Sequence, residues 1–160
     1  MRKVGLAITA CLLLTGSAAG QSIGEKIGVN SVLGITPKTV DFVKEVASRD
    51  MFAIQSSQLA AFKTHGNVLA FANQIQTDYA KTLSELKSLA QQAGVTVPVE
   101  MSSSQQNMFD ELNSLRAKKF AKQYIKDQVR VHKGAVSLFK RYGKGGGLHL
   151  ELVQWSWHAS

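Results

Sequence analysis

Three long stretches of this chain repeat apolar residues at steps of three and four, the spacing of one face of an α-helix, and the rhythm stops at Gly143-Lys144-Gly145-Gly146-Gly147. An amphipathic helix carries an apolar stripe that has to be covered. Three such helices and a tail therefore need closure by the tail, by another chain or by a further helix. The class that satisfies this is an all-α, up-and-down helical bundle of three long helices plus one short helix, with the fourth long helix missing or replaced by an atypical tail.

The ends of the chain differ in character from this centre. Arg2 and Lys3, an apolar run from Val4 to Leu14 and the small residues Gly16 to Gly20 make the three zones of a secretory signal peptide over 1–19. The apolar run is shorter than the ~20 residues that span a bilayer as a helix. Cleavage after Ala19 is expected, and it removes Cys11, the single cysteine, leaving no thiol for a disulfide or a thiolate metal site. Ile8-Thr9-Ala10-Cys11 resembles a lipoprotein cleavage box, but few apolar residues precede it and three leucines follow, so lipid anchoring at Cys11 is not expected. Residues 20–36, rich in Gly, Ser and Asn, read as a flexible leader, 37–144 as the helical domain and 145–160 as the tail.

Within the domain, Thr36-Pro37 offers an N-cap and a proline at the first helical position. The first helix then runs to about Thr64 on Val40, Val43, Ala47, Met51, Ile54 and Ala61. Asn67 can cap the second helix, which carries Val68, Ala72, Ile75, Tyr79, Leu83, Leu86 and Ala90 as far as Gly94. The short connection between them predicts an antiparallel hairpin. After an extended crossing at Val95 to Pro98, Ser102, Ser103 and Ser104 can cap a short helix from Gln105 to about Leu115. The third long helix spans about Ala117 to Tyr142, with Phe120, Tyr124, Val131, Ala135 and Phe139 on one side and Gly143 as its cap.

Three segments carry a resemblance: Phe42-Val43-Lys44-Glu45-Val46-Ala47, the run Met51-Phe52-Ala53-Ile54-Gln55-Ser56-Ser57-Gln58-Leu59-Ala60, and Tyr124-Ile125-Lys126-Asp127-Gln128-Val129-Arg130-Val131-His132-Lys133. The chain resembles the bacterial domain of unknown function 4142 family from about Thr39 to Lys144. That resemblance implies an exported protein with a ferritin-like four-helix fold and no established reaction. The chain departs from the family's pattern at Ala53, where relatives typically have glutamate, and at Tyr79 after Asp78, where they often have histidine. His132 is retained. The family's fourth helix, with its Leu-Pro element and further histidine, has no counterpart in Leu148 to His158, and a frame disruption or gene truncation near Gly145 is the expected cause.

Candidate sites are few. A ferritin-type di-metal centre uses Glu-x-x-His pairs, and no such pair occurs. Asp78, Asp127 and His132 are the candidate metal ligands, although Asp127 and His132 stand about 140° apart around a helix. No catalytic residue and no cofactor are expected: no Gly-x-Ser-x-Gly elbow is present, and the glycine run lacks the Gly-Lys-Ser/Thr of a phosphate loop. Lys118, Lys122, Lys126, Arg130 and Lys133 follow one another at helical turns, flanked by Lys119, Lys140, Arg141 and Lys144. Such a stripe is the solvated face every amphipathic helix needs, or a surface for anionic partners. Aromatic residues do not interleave with it, so nucleic acid is not expected as a partner.

The formal charge of +8 falls to +6 once Arg2 and Lys3 leave, still basic for a protein that meets anionic lipids and wall polymers outside the cytoplasm. The leading expectation is an exported, non-enzymatic protein of the periplasm or cell envelope with a structural, stress-associated or binding role. A ferritin-like metal-binding or oxidoreductase protein is one alternative, and a binder of anionic envelope polymers or lipids through the third long helix is another. An uncovered groove also makes a homo-oligomer a possible partner.

Overall fold

The computed structural model describes residues 38–144. The expected signal peptide, the leader up to Pro37 and the tail from 145, including the question of a fourth helix, lie outside the described residues. Four helices are present: α1 Thr39–Lys63, α2 Gly66–Gln92, α3 Ser103–Ser114 and α4 Ala117–Lys144. The architecture is all-α, three long helices and a short one, as the apolar spacing requires.

Helix α1 packs against each of the other three, whereas α2 and α4 meet mainly through side chains. Ala60 clusters with Ala72 near one end of the bundle, and Phe42, Val43, Val46 and Ala47 cluster with Leu86 and Ala90 at the other, so α1 and α2 form the antiparallel hairpin. Helix α4 also runs against α1: Ser57 faces Tyr124, Ser56 faces Gln128 and Thr39 faces Tyr142. Phe42 stacks on Tyr142 at 3.9 Å between ring centroids and meets the edge of Phe139 at 5.6 Å.

Burial follows from this central position. On α1 the buried set spreads well beyond one stripe and takes in Phe42, Val46, Phe52 and Ala53 as well as the expected Val43, Ala47 and Met51. Val40, expected inside, is 46% exposed, on an arc of α1 that none of the described helices covers. On α2 the reverse holds. Of the seven apolar positions expected inside, only Ala72, Leu86 and Ala90 are buried, since α1 alone covers this helix extensively.

The helix ends are set by local chemistry, with several corrections to the expected caps. Helix α1 starts at Thr39, with Lys38 as an N-cap that makes no side-chain bond. At its other end the Thr64 N–H and hydroxyl both donate to the Ala60 carbonyl, at 2.9 and 2.7 Å. Asn67 is not the cap of α2: that helix begins at Gly66, whose φ of +58° lets the chain turn within two residues. At the end of α2, Val95 N–H donates to Ala90 O and Gly94 N–H to Gln91 O, with Gly94 at φ +65°, the paired bonds of a Schellman motif. Ser102 caps α3 by accepting from the Gln105 N–H. Gly143 does not end α4, which continues to Lys144. The Tyr142 hydroxyl donates to Thr39 Oγ1 at 3.1 Å, and with the ring stack on Phe42 it holds the last turn against α1.

Because Phe42 is fully buried and contacts two aromatic rings of α4, Phe42→Ala should lower stability by about 3–5 kcal/mol. Urea unfolding followed by circular dichroism measures it. A loss under about 1 kcal/mol would show that the α1–α4 contact does not hold the bundle together.

Candidate functional site

Two regions of the bundle gather residues with chemistry: a polar cluster at its middle and the outer face of α4. The cluster begins with α1, which carries Ser48, Asp50, Ser56 and Ser57 into the core. Buried polar groups need partners, and three of these four have them on other helices. Ser48 accepts from the Ser102 N–H at 2.7 Å and donates to Gln105 Oε1 at 3.2 Å. Ser56 donates to the Phe52 carbonyl at 2.6 Å and accepts from Gln128 Nε2 at 2.8 Å. Ser57 and the Tyr124 hydroxyl are 2.7 Å apart. These serines are structural clamps between helices, and neither Ser56 nor Ser57 is paired with a general base.

Asp50 is different. It is 2% exposed, and its Oδ2 has no hydrogen-bond partner. Removal from water pushes its carboxyl up to about 8, so the group is mostly protonated at neutral pH. Nearby, the Tyr79 hydroxyl of α2 lies 3.2 Å from Nδ1 of His132 on α4. Burial, reinforced by the charge of Asp50 and opposed by Arg49, pushes the Tyr79 phenol up to about 12. Arg49 pairs with Glu45 and lies against Gly134, where the missing side chain leaves room for the guanidinium.

The three expected metal ligands are dispersed. Asp78 is exposed on α2 and accepts from Gln74 Nε2 at 2.7 Å. Asp127 is buried in α4 and accepts from Gln123 Nε2 at 2.9 Å. Burial raises its pKa, against the pull of that hydrogen bond and of Arg130. His132 is exposed beside Tyr79. Among the described residues no group of three or more His, Cys, Asp and Glu is placed to hold a metal ion. Sequence reasoning missed Asp50, although it stands seven residues after Val43 and three after Ala47, in phase with the buried face.

The outer face of α4 presents the expected basic residues. Lys118, Lys119, Lys122, Lys126, Arg130, Lys133, Lys140 and Lys144 are all exposed, on the side opposite buried Phe120, Tyr124, Val131 and Tyr142. Helix α4 holds nine Lys and Arg against one Asp, and the rest of the chain holds ten of each sign. The whole formal charge of the protein therefore equals the charge of this one helix. Its one acid, Asp127, is buried beneath that face. Arg49 pairs with Glu45 within α1 and Lys81 with Glu85 within α2. Beside the stripe, Ile125 and Val129 remain 37% and 47% exposed, and across from them Phe71 of α2 is 38% exposed with its ring 6.2 Å from that of Tyr124.

The Asp50 carboxyl makes stability depend on pH with a defined sign. Its pKa rises from 3.8 to about 8 on folding, so its contribution is fully present below the unfolded value and is lost as pH climbs toward about 8, at up to about 1.4 kcal/mol per unit. Asp50→Asn cannot ionise and should flatten this decline, melting higher than the parent at pH 8 to 9. Thermal melts across the range test it, and parallel pH profiles for parent and variant would refute the assignment.

Comparison with known proteins agrees with the sequence resemblance. No curated protein matches the chain, and no solved structure does. The family model described as Domain of unknown function (DUF4142) matches residues 26–155, which takes in all four helices and continues past the glycine run at 145–147. With that pattern carried over most of its length, the chain belongs to the DUF4142 family.

Proposed function

We propose that this chain is an exported cell-envelope protein that works by binding anionic surfaces through the outer face of α4, and not by catalysis. The observation that carries this reading is that the protein's net charge equals that of α4, eight of whose nine basic residues are exposed on one face. The bundle holds that helix rigidly, through Ser56–Gln128, Ser57–Tyr124 and Thr39–Tyr142, so the cationic groups need not be ordered at the moment of binding. A long row of lysines over a neutral body suits extended partners that carry many negative charges, such as phosphate-rich envelope polymers or lipid headgroups. The hydroxyls of Ser56 and Ser57 are engaged in structure, which gives catalysis by these groups no support. The N-terminal Arg2-Lys3 and apolar run support export.

Replacing Lys122, Lys126 and Arg130 with glutamine tests the reading. Each charge near an anionic surface contributes about 1 kcal/mol, so the triple variant should bind both soluble polyphosphate and anionic vesicles on the order of a hundredfold more weakly at low salt. Binding by the parent should weaken as salt rises. Equal binding by parent and variant, or binding indifferent to salt, would overturn it.

A further inference from the structure

The exposed face of α4 is not uniformly charged. Val129 lies within about 60° of Lys122, Lys126 and Lys133 around the helix, and Ile125 is one turn before it on the side facing α2. Both are substantially exposed, and Phe71 of α2 stands exposed with its ring 6.2 Å from that of Tyr124, the residue before Ile125. The lysine stripe is thus bordered by a short apolar ridge, Ile125, Val129 and Phe71, that the described helices leave in contact with water. A soluble polyanion offers such side chains nothing. A bilayer surface offers phosphate to the lysines and, just beneath, acyl chains to the ridge, the pairing used by helices that lie in a membrane interface. The long lysine stems can lie along apolar surface while their ammonium groups stay among the phosphates. No described helix is long and apolar enough to cross a membrane, so the contact is with the surface.

We infer that the partner of this face is an anionic phospholipid bilayer, with Lys122, Lys126 and Lys133 on the headgroups and Ile125, Val129 and Phe71 entering the interface. The inference rests on the proposed anionic-surface reading and goes beyond it in naming the partner. It is tested with the full chain by vesicle flotation, using phosphatidylcholine with and without phosphatidylglycerol, alongside binding to soluble polyphosphate. The N-terminal apolar run is common to every variant and cancels in the comparison. The double variant Ile125→Ser, Val129→Ser should bind anionic vesicles on the order of tenfold more weakly and polyphosphate as the parent does. Ile125→Leu with Val129→Leu should retain vesicle binding. If the serine variant floats with anionic vesicles as well as the parent, the bilayer inference fails while the anionic-surface reading stands. It fails equally if the serine variant loses vesicle and polyphosphate binding in parallel, or if vesicles of phosphatidylcholine alone bind as tightly as anionic ones.

Discussion

Everything in this bundle is referred to α1. It makes close contact with each of the other three, and it brings both apolar and polar side chains into the interior. The apolar ones, led by Phe42, Val46, Phe52 and Ala53, supply cohesion that has no direction of its own. The polar ones supply direction. A buried hydroxyl without a partner is costly, so Ser48 fixes α3 through Gln105, while Ser56 and Ser57 fix α4 through Gln128 and Tyr124. A rotation of α4 that left apolar contacts nearly unchanged would still break these bonds. The rotational setting of α4, and hence the direction its basic face points, is determined by serines on another helix.

Asp50 shows the same constraint left unsatisfied. It occupies a core position with one oxygen unpartnered, and it avoids the cost of a buried charge by holding its proton. The nearby Tyr79–His132 contact is one point where α2 and α4 meet across the bundle. A phenol there bridges to histidine by hydrogen bonding, whereas two histidines would have offered a pair of metal-ligating nitrogens. The middle of this bundle is built to join helices.

Much of this was legible in the sequence, and the misses have physical causes. The buried row of α4, Phe120, Tyr124, Val131, Ala135 and Phe139, and its opposing lysines follow from periodicity alone, because a helix packed on one side has one apolar face. The same rule misjudged α1, whose buried arc is wide because three neighbours surround it. It also overstated α2, whose Val68, Ile75 and Leu83 are only partly covered. Gly143 looked like a helix end because glycine favours one, yet the contacts of Tyr142 with Phe42 and Thr39 outweigh that preference. Asn67 was displaced as a cap because Gly66, at positive φ, closes the connection one residue earlier.

By itself, the sequence determined that the chain is helical, where its long helices lie, that its charge is concentrated on one of them, and which family it resembles. These properties depend on the order and spacing of residues, which a helix converts directly into faces. The tertiary structure decided which polar residues are buried, that one oxygen of Asp50 has no hydrogen-bond partner, that Asp78, Asp127 and His132 do not form one metal-binding group, and that Ile125 and Val129 border the lysine stripe uncovered. Those facts depend on how many neighbours each helix acquires, and periodicity within one helix carries no information about that number.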